Sequence, residues 1–403
     1  MSRRNAPGTS TRLAHLGRNS KTDGRAINPP VERASTLLFA SLDELEGREK
    51  RRLEKGYTTY GRSGTSTTLA FEETLTGLEG GYGTLVASSG LGAVAATLFS
   101  LVGAGDHLLV SDSVYGPGRT FCQELAKRFV VEVEYFDPLI GAGIAKLLRP
   151  DSRLVYCESP GSLTFEVQDI PAIAAAAREN GTLVLLDNTW ATPLFFQGFR
   201  HGVDIVLHAA TKYVVGHSDV MLGAVVASEA VYPALRRGFG LLGQHVSPDD
   251  VYLALRGLRT LAVRLPRHQE NGLRLARWFQ DRPEVARMLH PALPGDPGHA
   301  LWKRDFCGAS GLFSVVLKPC TRAAVAAFVE GLELFGMGAS WGGFESLVLP
   351  ADPAKMRSAT RWQAAGPLLR FHAGLEDPAD LIADLEAAFA RFAAAEQKEG
   401  MPA

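Results

Sequence analysis

The sequence predicts an α/β protein whose larger part is built on a mostly parallel β-sheet. From Thr84 onward, short apolar runs that are typical of buried strands alternate with segments of helical character. Strands separated by helices favour a parallel sheet with helices on both faces. At 403 residues the chain is also long for one hydrophobic core. We therefore predict an extended arm at residues 1–62, a large α/β domain at 63–260 and a smaller α+β domain at 261–403.

Composition and charge exclude several classes of protein. Hydrophobic residues make up 46% of the chain, and no apolar run is long enough to span a bilayer. The formal net charge of −1 gives no general attraction to nucleic acid or to a membrane surface. The first residues include several arginines but no apolar segment of a signal peptide, so we expect a cytoplasmic protein. The four cysteines are scattered without metal-ligand spacing, which indicates reduced thiols and no metal site.

The N-terminal arm is rich in polar and turn residues. Asn28-Pro29-Pro30 prevents a helix there, and one short helix is expected near Ser41 to Glu54, beginning at a serine cap. Because such a segment has little to bury on its own subunit, we expect it to pack across a subunit interface. It ends in Tyr57-Thr58-Thr59-Tyr60-Gly61-Arg62, where an extended backbone would let Tyr60 and Arg62 reach one phosphate. The alternative is a solvated loop with an unrelated arginine.

Strands and helices then alternate through the large domain. The predicted strands are Thr84–Ala87, His107–Val110, Val130–Phe136, Arg153–Cys157, Thr182–Leu186, Val203–Leu207 and Gly223–Ala227. The predicted helices between them are Gly92–Leu101, Gly118–Arg128 and Asp169–Glu179. A helix rich in Leu and Arg, between Tyr252 and Gln269, should connect to the second domain. For that domain we predict strands Gly311–Leu317 and Leu368–His372 and helices Arg322–Leu332 and Pro378–Phe392.

Two polar side chains stand at the ends of predicted strands. Lys212 lies just past Val203–Leu207, and Asp187 directly follows Thr182–Leu186. Open α/β sheets place their ligand crevice at the carboxyl ends of the strands. A desolvated lysine there can lose its proton and attack a carbonyl, although a lone lysine in a polar loop is more often an ordinary surface residue. An amine for the aldehyde and a carboxylate for the pyridine nitrogen are what pyridoxal phosphate (PLP) requires, so the pair favours a PLP site.

The turn Ser88-Ser89-Gly90-Leu91 is a candidate anion site. It opens a predicted helix, where free backbone N–H groups and the helix dipole would attract a phosphate, although both serines could instead be N-caps. Gly90-x-Gly92-x-x-Ala95, with Asp112 about 20 residues on, also matches a dinucleotide-binding fingerprint. We rank that alternative below PLP because it lies too far from the start for a first βα unit. It also explains neither Lys212 nor Asp187.

Four further residues are candidates for contacts with a cofactor or substrate. Tyr115 follows another predicted strand and could lie flat on a cofactor ring or pack within its loop. Trp341 and Ser340 belong to the glycine-rich loop Ala339–Ser346, where the tryptophan could line a site or fill the core. Arg370 lies inside a predicted strand. A buried arginine needs a carboxylate, which either a structural salt bridge or a substrate could supply.

These motifs resemble the cysteine/methionine-metabolism family of PLP-dependent enzymes. The resemblance is carried by His208–Tyr213, by Asp187–Trp190 and by Arg370–Glu376, and it extends from Thr11 to about Glu386. It implies the aspartate-aminotransferase-like PLP-dependent transferase fold. It also implies catalytic roles for Lys212, Tyr115 and Asp187. The cofactor would be bound by these three residues, by Ser88, Gly90, Leu91 and Thr211, and by Tyr60 and Arg62 of the neighbouring subunit. The substrate would be bound by Arg370, through its α-carboxylate, and by Ser340, Trp341 and Tyr115.

Two positions indicate which reaction of the family to expect. At the position that corresponds to Trp341, family lyases that act at Cγ usually carry leucine. At the position that corresponds to Ala209, many members carry a serine that binds the phosphate. The β-lyase type carries tryptophan and alanine, as this chain does. The resemblance thus implies cleavage of L-cystathionine to homocysteine, pyruvate and ammonia in methionine biosynthesis. A sister enzyme acting at Cγ is the main alternative, and a dinucleotide oxidoreductase or a non-catalytic regulator is more distant. The family implies at least a homodimer, and we expect a homotetramer that binds small amino-acid thioethers.

Overall fold

The computed structural model describes residues 7–18 and 26–399 and contains two β-sheets. The strands of the first sheet are β1 Gly83–Ala87, β2 His107–Ser111, β3 Glu132–Phe136, β4 Ser152–Glu158, β5 Leu183–Asp187, β6 Ile205–His208 and β7 Gly223–Ala227. Their order in space is β1-β7-β6-β5-β4-β2-β3. Only β7 runs against its neighbours, and the other pairs are parallel. The predicted α/β class with a mostly parallel sheet is therefore confirmed.

The central strands of this sheet form where apolar residues run without interruption. Neighbouring residues of β5 contribute to different cores, since Val184 and Leu186 pack in one cluster and Leu185 in another. A strand that is buried on both faces has such a continuous apolar sequence. The runs end in polar residues, and Asp187 and His208 are the last residues of β5 and β6. Because these strands are parallel, their polar ends meet at one edge of the sheet.

Helices cover both faces of this sheet. They are α1 Thr9–His15, α2 Leu42–Lys50, α3 Ser66–Glu79, α4 Gly90–Leu101, α5 Gly116–Phe129, α6 Ile170–Asn180, α7 Thr192–Phe195, α8 Tyr232–Leu241 and α9 Pro248–Gln280. Ser41 caps α2 as predicted, accepting a hydrogen bond from the Glu44 N–H at 3.1 Å. Helix α1 was not predicted, and its Leu13 is buried in the main core of the same chain. The arm is therefore partly docked on its own subunit. Its predicted residues 1–6 and 19–25 lie outside the described part.

Helix α9 joins the two sheets and is longer than predicted. It has 33 residues and continues through Pro266, so the boundary that we placed at residue 260 falls inside it and the division into domains stays a prediction. Gly257 allows α9 to approach the turn after β6 very closely. A Cβ at that position would lie 2.3 Å from the Val215 carbonyl oxygen and 2.4 Å from that of Val214. The helix thus supports the turn that carries Lys212.

The second sheet lies in the C-terminal part. Its strands are β8 Val285–Leu289, β9 Leu312–Leu317, β10 Phe335–Met337, β11 Ser346–Ala351 and β12 Leu368–His372, in the order β10-β11-β12-β9-β8. Its helices are α10 His299–Asp305, α11 Arg322–Glu330 and α12 Pro378–Glu399. The predictions of β9 and β12 are confirmed. The other three strands were missed because β8 is largely exposed, β10 has three residues and β11 contains Pro350.

No helix within residues 7–18 and 26–399 is both long and apolar enough to cross a membrane.

Candidate active site

Lys212 lies on a tight turn directly after β6. Its backbone N–H donates to the Ala209 carbonyl at 3.0 Å, and its Nζ donates to Ser340 Oγ at 2.5 Å. Burial lowers the pKa of the Lys212 amine to about 8, with a further contribution from the Arg370 guanidinium and opposition from Asp187. An amine with a pKa this close to neutrality is readily deprotonated and can then act as a nucleophile or a base.

Asp187 is a buried carboxylate at the end of β5. Its Oδ1 accepts hydrogen bonds from the Thr189 N–H at 2.9 Å and from the Thr189 hydroxyl, whose oxygen accepts from the Ala209 N–H at 2.9 Å. This chain of bonds ties the end of β5 to the turn that carries Lys212. Burial raises the pKa of Asp187, while the bonds from Thr189 and the nearby His208 and Lys212 oppose the rise. No cationic side chain of the described residues forms an ion pair with it.

Glu158 stands beside Asp187 and was not predicted as a site residue. The two residues are partners in the register of the parallel strands β4 and β5, so their side chains leave the sheet on the same face. Glu158 Oε2 accepts a hydrogen bond from the Tyr115 N–H at 2.6 Å. Burial raises the pKa of Glu158 well above its ordinary value, and the charge of Asp187 adds to the effect. The signal in the sequence was a carboxylate that ends the apolar run Arg153–Cys157.

Tyr115 lies in the loop between β2 and α5 and is 46% exposed. Burial of its hydroxyl raises its pKa, and the neighbouring Glu158 adds to the rise. The phenol therefore stays protonated at neutral pH and can donate a hydrogen bond or a proton. Its backbone is fixed by Glu158, so the same edge of the sheet positions Asp187 and Tyr115.

The start of α4 is a candidate anion site at this edge. Ser89 is the N-cap, since its hydroxyl accepts from the Gly92 N–H at 3.0 Å, whereas Ser88 is exposed and does not cap the helix. The N–H groups of Gly90 and Leu91 donate to no described group and belong to the first turn. Thr211 is less free, because its hydroxyl donates to the Leu222 carbonyl at 3.2 Å and accepts from the Leu222 N–H at 2.9 Å.

Arg370 faces this edge from β12 of the second sheet. Its Nη2 donates to the Ser340 carbonyl at 3.0 Å, and burial lowers the pKa of the guanidinium to about 10. Within residues 7–18 and 26–399 it forms no salt bridge, so the structural ion pair that the sequence left open is not found there. The Trp341 ring centroid lies 5.5 Å from Lys212 Nζ and 5.4 Å from the Tyr213 ring. The second sheet therefore brings an arginine without a carboxylate and an indole to the lysine.

Tyr60 and Arg62 lie elsewhere in the chain. They line a cavity of about 360 Å³ between the arm and α8, and no other predicted site residue lines it. Arg62 Nη1 donates to the Gly240 carbonyl at 3.0 Å, and Tyr60 is 48% exposed. The structure therefore does not bring these two residues to Lys212 within one chain.

Asp112, the acidic residue of the dinucleotide fingerprint, has a different environment. Its carboxylate accepts from Arg119 at 2.8 Å and from the backbone N–H groups of Ser358, Ala359 and Thr360 at 2.8–3.2 Å. These bonds saturate the carboxylate, which leaves it no free oxygen for a ribose. Asp112 instead fastens the segment 358–360 to the loop that precedes Tyr115.

The residues at the carboxyl edge fit PLP. An amine with a lowered pKa, a buried carboxylate without a cationic partner and two free N–H groups at a helix start suit its aldehyde, pyridine nitrogen and phosphate in turn. An α/β fold with these groups at one edge of a mostly parallel sheet is that of a PLP-dependent enzyme. The sequence pattern described as Cys/Met metabolism PLP-dependent enzyme matches residues 10–390, and the chain belongs to this family.

Relatives and solved structures agree with this assignment. A protein of Rhizobium johnstonii, provisionally named a cystathionine β-lyase, is 50% identical over 96% of this chain and 97% of its own length. The cystathionine β-lyase MetC of Escherichia coli is 44% identical over 95% of this chain and 98% of its own. A crystal structure of cystathionine γ-synthase from Xanthomonas oryzae, in complex with aminoacrylate and cysteine, has a TM-score of 0.88 at 34% identity and covers 97% of this chain and 100% of that chain.

One relative has a different name. The L-alanine/L-glutamate racemase of Wolbachia pipientis is 38% identical over 96% of this chain and 98% of its own length. The family therefore includes more than one reaction at comparable similarity, and the reaction of this chain has to be argued from its site.

Proposed function

We propose that the chain is a PLP-dependent carbon–sulfur β-lyase that cleaves cystathionine to homocysteine, pyruvate and ammonia. The observation that carries the proposal is the position of Trp341, whose indole lies 5.5 Å from Lys212 Nζ. The names of the Rhizobium and Escherichia relatives support the same reaction. Lys212, Asp187, Ser88, Gly90 and Leu91 would hold the cofactor.

Arg370 would bind the α-carboxylate of the substrate. Its guanidinium is partly buried, still cationic at neutral pH and without a carboxylate partner among the described residues. A planar guanidinium can bind a carboxylate through two parallel hydrogen bonds. Since Nη2 already holds the Ser340 carbonyl, the substrate and the 340–345 loop would be fixed by the same side chain. This arrangement would orient the bond from Cα to its hydrogen toward Lys212.

Lys212 would remove and return protons. When bound, PLP supplies an aldehyde for an amine and a conjugated ring that takes up the electrons of a Cα carbanion. The Lys212 amine has a pKa of about 8, so its neutral form is accessible for taking the Cα proton. Ser340 Oγ, at 2.5 Å, would hold the amine in place during this step. Asp187 would keep a proton on the pyridine nitrogen.

Cleavage would break the bond between Cβ and sulfur. The departing thiolate takes a proton, for which Lys212 and the protonated Tyr115 phenol are both available. The remaining three-carbon fragment takes up water and gives pyruvate and ammonia. Cleavage at Cγ would instead need a second proton to be removed, from Cβ, with room for the substrate chain to turn. Trp341 would occupy that room and hold the chain extended.

Identification of the keto acid released from cystathionine tests the proposal. We expect pyruvate together with homocysteine. If 2-oxobutyrate and cysteine dominate, the chain is one of the sister enzymes that act at Cγ. Racemisation of alanine or glutamate without carbon–sulfur cleavage would instead favour the activity for which the Wolbachia relative is named.

We also propose that Tyr60 and Arg62 complete the site of a second subunit, so that the enzyme is at least a homodimer and, by our expectation, a homotetramer. Both residues face a cavity rather than their own Lys212, and the arm carries exposed apolar side chains such as Leu38, which is 91% exposed. An Arg62→Ala chain mixed with a Lys212→Ala chain should regain activity, because one intact site can form in the mixed dimer. Proven subunit exchange without recovery would contradict a shared site. Light scattering separates a dimer from a tetramer.

A further inference from the structure

His372 lies on β12, two residues after Arg370, so both side chains leave the same face of the strand. It is 1% exposed and packs among aromatic rings, with its centroid 5.9 Å from that of Tyr213 and 5.2 Å from that of His268. Neither the family resemblance nor the proposed mechanism gives it a role. Both of its ring nitrogens nevertheless point at the loop that carries Ser340.

Two hydrogen bonds join this ring to the loop. The Gly342 N–H donates to His372 Nε2 at 3.1 Å, and His372 Nδ1 lies 3.1 Å from the Glu345 carbonyl oxygen. An N–H can only donate and a carbonyl can only accept. The two bonds therefore coexist only when Nε2 is bare and Nδ1 carries the proton. The ring is a neutral imidazole in a single tautomer, and protonation would destroy the bond to Gly342.

The groups around His372 favour this neutral state. Burial lowers the pKa of His372 well below its ordinary value, and His268, Arg370 and Lys212 add to the effect. The hydrogen bond with the Glu345 carbonyl raises the pKa of His372 but does not reverse the decrease. The ring is therefore neutral at neutral pH and keeps both bonds there.

The clamped loop needs such support because its backbone is strained. Ser340 has a φ of 89°, which is rare for a residue with a side chain and costs free energy. Gly342, with a φ of 90°, adopts the same region without strain because it has no Cβ. The loop also lies directly on the lysine turn, since a Cβ at Gly342 would stand 3.0 Å from Lys212 Cα. Any shift of the loop would therefore displace both the Ser340 hydroxyl and the backbone beside Lys212.

Arg370 is a less constant support for the same loop. It holds the Ser340 carbonyl at 3.0 Å, but under the proposed function it must also receive the substrate carboxylate. The two bonds of His372 do not involve any group that would touch the substrate. His372 is therefore the support that is the same before and after substrate binds.

We propose that His372 is a positioning residue, which clamps the 340–345 loop through Gly342 and Glu345 and so sets the Ser340 hydroxyl against the Lys212 amine. This inference rests on the proposed function. A wild-type protein that releases no pyruvate would overturn the proposed function. The role of His372 is tested separately, by comparing variants of an enzyme whose wild type does release pyruvate.

The test separates the two bonds. Asparagine at 372 can still donate near the Nδ1 position but offers Gly342 no acceptor, whereas glutamine can place an acceptor near Nε2. We expect His372→Asn to lower kcat/KM about 10- to 100-fold, the size of effect that small displacements in a supporting loop produce, and His372→Gln to recover most of it. His268→Asn is the matched control for loss of packing around His372, because His268 is equally buried, packs on Tyr213 and on His372 itself, and does not touch the loop.

A double-mutant cycle identifies the route of the effect. If His372 acts through Ser340, Ser340→Ala should lower kcat/KM in the wild type and have little further effect in His372→Asn. A second readout does not depend on turnover. Labelling of Lys212 by an amine reagent, followed by mass spectrometry in the full-length protein freed of cofactor, should have its midpoint near pH 8 in the wild type and in His268→Asn. The midpoint should move upward in His372→Asn as water reaches the amine.

Additive effects of His372→Asn and Ser340→Ala, an unchanged labelling midpoint, or an equal loss in His268→Asn would overturn the proposal. If His372→Asn does not fold, His372→Phe and His372→Gln replace it, because phenylalanine keeps the ring and removes both bonds. Equal activity of these two variants would likewise contradict a clamp, and impairment of the phenylalanine variant alone would support it.

Discussion

Replacement of Arg370 tests how the substrate is held. Arg370→Leu removes the guanidinium that faces Lys212 and also the donor to the Ser340 carbonyl. A hydrogen bond to a charged group contributes about 1.5–3 kcal/mol, so loss of a two-bond contact with a carboxylate should cost about 3–6 kcal/mol. At about 1.4 kcal/mol per factor of ten, kcat/KM should fall about 100- to 20,000-fold. Arg370→Lys keeps the charge but loses the planar guanidinium, and we expect it to lower kcat/KM about 10- to 100-fold.

The assay compares cystathionine with an analogue in which the α-carboxylate is replaced by hydrogen. The wild type should prefer cystathionine strongly, and Arg370→Leu should lose most of this preference because both substrates then lack the contact. Arg287→Lys is the control, since Arg287 lies on β8 of the same sheet, is exposed and donates to the Gln363 carbonyl at 3.3 Å. A decrease of less than about fivefold in Arg370→Leu, or a preserved preference for the carboxylate, would refute the reasoning, since even one charged hydrogen bond should cost more.

Three further predictions concern other parts of the site and fold. In cofactor-free protein, the rate at which Lys212 is labelled should rise as the pH passes through 8. The pKa of this amine is lowered from 10.5 to about 8 on folding, so between pH 8 and 10.5 the unfolded chain binds more protons than the folded one. The contribution of Lys212 to the free energy of unfolding should therefore rise with pH in this range, which thermal melting checks. Asp112→Ala leaves Arg119 buried without its carboxylate partner and should cost about 3–5 kcal/mol, seen as a lower melting temperature. Exposed Asp281→Ala, whose carboxylate pairs with no described side chain, should leave the melting temperature unchanged. Trp341→Leu should raise the proportion of 2-oxobutyrate formed from cystathionine, and an unchanged product ratio would show that the indole does not set selectivity.

The predictions that succeeded depended on runs of sequence rather than on single residues. Strands that are buried on both faces have continuous apolar sequences, so β5, β6 and β7 could be located, and the residues that end them could be assigned to one edge. The positions of Lys212 and Asp187 at this edge were predictable for this reason, whereas their roles stay predictions. Once a parallel sheet is recognised, the polar ends of its strands can be placed together at one edge without any knowledge of the loops.

The residues that were missed are distinguished by contacts between distant segments. Glu158 lies beside Asp187 through the register of β4 and β5, and His372 binds backbone groups some 30 residues away. Neither contact leaves a local pattern. Helix α1 was missed because it is short and has one buried side chain, Leu13. Tyr60 and Arg62 line a cavity of their own chain away from Lys212, so their place in the site of a neighbouring subunit stays a prediction.

The attachment of Asp112 to residues 358–360 bears on how this protein can be engineered. Consider a chimera that joins residues 1–260 of this chain to the C-terminal part of another family member. It would keep Lys212 and Asp187 of this chain, and the other protein would supply the arginine on the second sheet. It would keep the fastening beside Tyr115 only if the donated segment presented three backbone N–H groups and the Thr360 hydroxyl to Asp112. If the donated segment lacked these groups, the Asp112–Arg119 pair would remain, but the Asp112 carboxylate would lose its other hydrogen-bond donors. The loop before Tyr115 would then be free to shift. Exchange of parts between relatives should therefore be planned around this junction as well as around the residues that do the chemistry.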